Sequence, residues 1–147
     1  MKEVRTVENI STEPKIGQIY MMKFTGEGHE QVGWRPGLVV QNNKGNSFSP
    51  NIIAVPLTSS IKKCAMPTHV LINAVEAGLK MDSLVLCENP KIMPKESLGN
   101  LITELTPNQM KEVAKAYVLS SSIISFLNVE ELKNVWYNAR ELNGVAN

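Results

Sequence analysis

The order of the apolar segments limits the fold more than any other feature of this chain. Up to residue 105 they are short runs separated by turn residues, and after that come two longer patterns of helical period. Ile16 to Phe24 alternates its side chains like a half-buried strand, and Thr25-Gly26-Glu27-Gly28 breaks it. Leu38 to Gln41 predicts a second strand, followed by a turn-rich loop, Asn42-Asn43-Lys44-Gly45-Asn46-Ser47. Asn51–Leu57 predicts a third strand ending at Thr58-Ser59-Ser60, and Thr68–Ile72 and Ser83–Cys87 predict two more. Leu98–Leu105 is mixed, with some strand character. Short strands first and helices last imply an α+β domain built on a small antiparallel barrel, with C-terminal helices.

Both helices carry start signals. Thr106-Pro107-Asn108-Gln109 supplies a cap, a proline at the first helical position and a glutamine three residues after the cap. Met110, Val113, Ala114, Tyr117 and Val118 then form one apolar stripe. The second helix opens at Asn128 with Glu131 three residues on, and Gly144 is placed to stop it. Its apolar face, Leu132, Val135, Trp136, Ala139 and Leu142, is too large to leave in water. It is expected to pack on its own barrel or on a partner subunit. The chain therefore divides into a loose arm (1–15), a main domain (16–127) and a helical extension (128–147).

With 147 residues the chain is long enough for one self-sufficient core. Fifteen basic and fourteen acidic residues leave a net charge of +1, so bulk charge does not announce a nucleic-acid binder. No run approaches the ~18 apolar residues of a membrane helix, and the polar first fifteen residues do not read as a secretory signal. Cys64 and Cys87 have no metal or redox spacing and are expected to be free thiols in a reducing cytoplasm. Neither a metal nor a cofactor is implied.

The segment richest in chemistry is Gly28-His29-Glu30-Gln31-Val32-Gly33-Trp34-Arg35-Pro36. It gathers an imidazole, a carboxylate, an amide and a guanidinium ahead of a buried strand. An arginine at the mouth of a strand suits a phosphate, because its planar fork makes two parallel charged hydrogen bonds. An ordinary hairpin ion pair is the competing reading.

Together with the strand order, this segment makes the chain resemble the MazF/PemK-type toxins, particularly those of Gram-positive bacteria. The resemblance runs from Gly17-Gln18-Ile19-Tyr20 through Val39-Val40-Gln41-Asn42, Val55-Pro56-Leu57-Thr58-Ser59 and Pro67-Thr68-His69-Val70. It continues through Asp82-Ser83-Leu84-Val85-Leu86-Cys87-Glu88 into the helix from Pro107. It implies a compact SH3-like barrel and a homodimeric cytoplasmic endoribonuclease that cleaves single-stranded RNA, mRNA foremost, without a metal. It also implies a cognate antitoxin as partner.

Residue by residue, Arg35 matches the arginine of the family's catalytic pair, and Thr58 the threonine after the third strand. His29 and Glu88 match positions used by the plasmid-borne branch, whereas Leu86 stands where that branch has a catalytic arginine. RNA supplies its own nucleophile, the 2′-hydroxyl, so such a site needs a base, a charge stabiliser and an acid. Cleavage by that route leaves a 2′,3′-cyclic phosphate and a 5′-hydroxyl.

Glu88 is a candidate base whose pKa partial burial would raise, or else a salt-bridge partner of Arg35. His29 has the ionisation best placed for proton transfer near neutrality, and His69 reads as structural. Trp34 and Phe48 are candidates for stacking on bases, with core packing or dimer contact as the alternative. Glu30, Gln31 and Ser59 complete the expected substrate-binding set. A non-catalytic binding protein on the same fold, a gyrase poison or an inactive regulator, is the rival function.

Overall fold

The computed structural model describes residues 13–26, 32–61 and 66–144. In chain order the elements are β1 (Gln18–Phe24), β2 (Gly33–Val39), α1 (Asn43–Phe48), β3 (Asn51–Thr58), β4 (His69–Ile72) and α2 (Ala74–Ala77). There follow β5 (Ser83–Leu86), β6 (Lys91–Pro94), β7 (Leu98–Glu104), α3 (Pro107–Leu119) and α4 (Val129–Leu142). Short 3₁₀ turns cover Lys95–Ser97 and Ile123–Phe126.

All strand pairs are antiparallel, in the order β4-β5-β3-β2-β1-β7, with β6 also on β3. The path has two ends, β4 and β7, so the α+β sheet is curved layers on an open path, not a closed ring. β3 holds it together. Its first half pairs with β6, from Asn51↔Pro94 to Ala54↔Lys91, and its last two residues pair with β5, Leu57↔Val85 and Thr58↔Leu84.

Strand alternation divides the buried side chains into two cores. On one face Ile19, Leu38, Val55, Leu57 and Val85 pack under Val113 and Ala116 of α3. On the other, Tyr20, Met22, Phe24, Val39, Ile52 and Ala54 pack with Met93 of β6. Gly37 lies where this second core crosses β2. A Cβ there would come within 2.5 Å of Met22 Sδ and 2.9 Å of Phe24 Cζ, so only glycine leaves them room.

Both helix starts form as the sequence specifies. Gln109 N–H donates to Thr106 Oγ1 at 3.1 Å and Thr106 N–H to Gln109 Oε1 at 2.8 Å, which closes a capping box. Asn128 and Glu131 do the same for α4, at 2.8 and 2.9 Å.

Several boundaries differ from expectation. The supposed loop after β2 is helix α1: Gly45 N–H donates to Asn42 Oδ1 at 2.8 Å, and buried Asn46 donates from Nδ2 to Gln41 O at 2.9 Å. The same polar residues that favour turns also cap short helices. β2 begins at Gly33, five residues before the expected Leu38, and so contains Trp34, Arg35 and Pro36. Pro36 is tolerated because β2 pairs with β3 only from Gly37 onward, leaving no ladder bond on that side to lose. β6 and α2 were not expected at all. Most of the expected 1–15 arm lies outside the described residues, although Pro14 is buried.

None of the residues of α4 is buried within this chain. Asn43 N–H of α1 donates to Asn143 Oδ1 at 2.9 Å, tying the end of the extension to the domain. Arg140 stacks over the Trp136 ring at 4.7 Å. Leu132 and Val135 line an apolar groove of about 700 Å³ together with Tyr117, Val118, Ile124 and Leu127.

Candidate functional site

Strand register places the expected phosphate contacts near one end of the β2–β3 ladder. β2 and β3 pair Val39↔Ala54, Leu38↔Val55 and Gly37↔Pro56. Arg35 and Thr58 each lie two residues beyond the last of these pairs, past the end of the ladder. Alternation puts both on the face of Val39 and Ala54, the one opposite α3, beyond the half of β3 that β6 pairs with. Both are half-buried. Arg35 donates from Nε and Nη2 to Val32 O at 3.4 and 3.3 Å. Thr58 Oγ1 accepts from Ser60 N–H at 3.2 Å, and Ser59 beside it is exposed.

The same face continues across β5 and β4. Thr58 pairs with Leu84, and Leu86 with His69. Val85 and Val70 point the other way, into the core under α3. Leu84 and Leu86 are buried and form an apolar floor, beside which Leu71 stays 59% exposed. At the position where the plasmid-borne branch has an arginine, Leu86 is therefore a packing residue.

At the far side of that floor, two residues past the end of β5, sits Glu88. Thr68 Oγ1–H donates to Glu88 Oε1 at 3.0 Å, and His69 Nε2 pairs with Oε2 at 2.9 Å. The side chains of His69 and Glu88 are 9% and 27% exposed. Among the described residues, His69 Nδ1 is buried with no partner. Burial alone would raise the Glu88 pKa, but bonds from His69, from its own backbone N–H and from Thr68 outweigh that and hold it below 4.5. The expected upward shift is thus corrected. The partner that holds this carboxylate is His69, nineteen residues away along the chain.

This sets a direction for the pH dependence of stability. A carboxyl with a depressed folded-state pKa stabilises the fold above its unfolded pKa, and the contribution is lost as pH falls through the folded value. We expect melting temperature to drop as pH is lowered below about 4.5, and the Glu88→Gln variant to show a shallower drop. Thermal melts between pH 7 and 3 check this; identical acid limbs for the two proteins would contradict it.

The remaining candidates do not all converge. Trp34 faces away from Arg35, with its ring against Gly99 of β7, and is 56% exposed. Phe48 is 81% exposed but precedes β3 at the end opposite Thr58, roughly 20 Å along the strand. His29, Glu30 and Gln31 lie outside the described residues, as does Cys64. Cys87 is a buried free thiol, its pKa pushed up to about 12 by burial and by neighbouring Glu88. Among the described residues, no group of three or more His, Cys, Asp or Glu could hold a metal ion, and no helix is long and apolar enough to cross a membrane.

Residues 15–120 match the family model described as PemK-like, MazF-like toxin of type II toxin–antitoxin system. The chain is 39% identical over 113 residues to endoribonuclease EndoA of Bacillus subtilis, covering 76% of this chain and 97% of that protein. It is 36% identical over 105 residues to endoribonuclease MazF of Staphylococcus saprophyticus, covering 71% and 88%. In structure it is similar to MazF from Deinococcus radiodurans, with a TM-score of 0.63 at 25% identity over 74% of this chain and 96% of that one. It is also similar to a mycobacterial endoribonuclease solved with its cognate antitoxin, with a TM-score of 0.61 at 26% identity over 75% and 96%. Strand order, the extent of the match and these relatives agree: the chain belongs to the PemK-like, MazF-like toxins of type II toxin–antitoxin systems.

Proposed function

We propose that this toxin is a sequence-selective endoribonuclease that cuts single-stranded RNA, mRNA foremost, on the sheet face opposite α3. The observation that carries the proposal is that Arg35 and Thr58 lie on one face of the sheet, each two residues past the same end of the β2–β3 ladder. Relatives named as endoribonucleases supply the reaction class. A homodimer, and a cognate antitoxin like the one bound to the mycobacterial neighbour, belong to the same reading.

In this mechanism the 2′-oxygen attacks phosphorus, the P–O5′ bond breaks, and the 2′ proton passes to a base while the 5′-oxygen gains one. Negative charge builds on the non-bridging oxygens, and the Arg35 fork is suited to bind them. Thr58 already accepts a bond from Ser60 N–H, so its hydroxyl proton is the part left to donate to a phosphate oxygen. Proton transfer is assigned to His29, whose imidazole ionises near neutrality. A carboxyl held below its ordinary pKa is a weaker base, which argues against Glu88 in that role. Since the substrate brings its own nucleophile and Arg35 brings the positive charge, the route needs no metal.

Incubating the purified chain with mixed RNA in EDTA and mapping the new ends tests this. The expected products carry 2′,3′-cyclic phosphates and 5′-hydroxyls at a restricted set of sites. New 5′-phosphate ends, a strict magnesium requirement or no cleavage at all would overturn it, the last in favour of a purely binding toxin.

A further inference from the structure

We infer that the apolar groove between α3 and α4 is closed by the same groove of a second copy of this chain, the two related by a two-fold axis. Most of its lining, from Ser121 to Val135, lies beyond the residues 15–120 that match the family, so the contact belongs to the extension. The inference goes beyond the homodimer reading, which names no surface. Three observations carry it.

The first is area. Within one chain the groove walls leave Phe126 83%, Ile123 72% and Val135 52% exposed. On α4, Val129 and Trp136 flank Leu132 at helical spacing and are 72% and 54% exposed. At about 150–250 Å² for an aromatic side chain and less for an aliphatic one, this leaves on the order of 800 Å² of apolar surface in water. The largest patch on a monomer is about 300–600 Å², whereas a specific interface takes about 800 Å² from each partner.

The second is charge. Between Val118 and Leu142 the chain carries three acidic residues and two basic ones. That is not the cationic surface a nucleic acid requires. It is self-complementary instead: the first turn of α4 holds Glu130 and Glu131, and its last turn holds Arg140. Two copies of α4 packed antiparallel set each acidic end beside the other's basic end, as a two-fold contact demands.

The third is preorganisation. A capping box fixes the start of α4, and the bond from Asn43 N–H to Asn143 Oδ1 at 2.9 Å holds its end. Between the helices, Ser120 Oγ–H donates to Tyr117 O and Ser125 Oγ–H to Ser122 O, both at 2.7 Å. The groove is therefore built within one chain, and surfaces already in their bound shape lose little freedom on pairing.

Sedimentation equilibrium of the full-length chain over a range of concentrations tests this, with wild type, Phe126→Glu and Trp136→Glu. Phe126 and Trp136 are exposed within one chain, so both variants should stay folded, which far-UV circular dichroism checks. Each is expected to weaken self-association at least about thirtyfold. Arg140→Glu and Glu131→Arg chains should each associate less tightly alone and pair with one another when mixed. Unchanged association in Phe126→Glu and Trp136→Glu would overturn the inference and leave a homodimer through another surface intact. Mixed charge variants that pair no better than each alone would also overturn it. Lost neutralisation by the cognate antitoxin in Phe126→Glu, with self-association unchanged, would give the groove to that protein instead. A wild-type chain that stays monomeric at every concentration would remove the homodimer reading together with this one.

Discussion

Arg35→Ala and Thr58→Ala are each expected to slow RNA cleavage by about 10²–10³-fold while leaving the protein folded. Removing one donor aimed at a developing oxyanion costs about this much when the rest of the site stays in place. Arg35 stabilises charge with a planar cation, so Arg35→Lys should recover only part of the rate. Neither residue belongs to the two buried cores, and both are half-buried at strand ends, so melting temperatures should stay close to wild type. Single-turnover rates on a defined RNA, read beside thermal melts, check the claim. Near-wild-type cleavage by either variant would remove that residue from the site.

The second large effect concerns Cys87. Alkylation needs the thiolate, and a pKa pushed to about 12 leaves about a thousandfold less of it at neutral pH than an ordinary cysteine provides. The thiol also lies under α3, with Sγ 3.9 Å from Val113 O. In a Cys64→Ser background, Cys87 should react with iodoacetamide at least about 10³-fold more slowly than free cysteine, and reach ordinary rates only in denaturant. Fast labelling of the native protein would mean that α3 opens readily and that the core beneath it is less closed than described.

The parts of the fold legible in the sequence were those written in local patterns. Thr106 with Gln109, and Asn128 with Glu131, announce helix starts because each pair satisfies orphan amides within one turn. Alternation located β1 for a similar reason, since one residue's neighbours fix its face. The misses were of two kinds. At Asn42–Ser47 the residues suit a turn and a capped helical turn equally, and packing of Asn46 decides between them. β6 is the four residues Lys91–Pro94 just after Pro90, and only its partner Asn51–Ala54 makes it a strand.

The candidate site shows the same division. That Arg35 and Thr58 carry suitable chemistry was readable, but their common place past one end of the β2–β3 ladder depends on a register that no single segment encodes. Likewise, nothing near Glu88 in sequence reveals that His69, nineteen residues away, will hold its carboxylate and lower its pKa. Trp34 illustrates the converse: adjacency to Arg35 in sequence suggested a common site, and strand alternation sends the two side chains to opposite faces. For α4, amphipathicity was legible and its partner was not. We propose that its apolar face serves as a structural extension against a partner subunit, outside the reaction.

The central claim is that RNA lies on the face shared by Arg35, Thr58 and Glu88. It is tested most directly by hydrogen–deuterium exchange of the toxin with and without an oligonucleotide bearing a 2′-deoxy sugar at the cut position. That substitution removes the nucleophile and leaves the phosphates in place. The account predicts slower exchange at the start of β2, the end of β3, and in β4 and the segment through Glu88, with α3 unchanged. Protection confined to α3 and α4, with those strands unaffected, would contradict it.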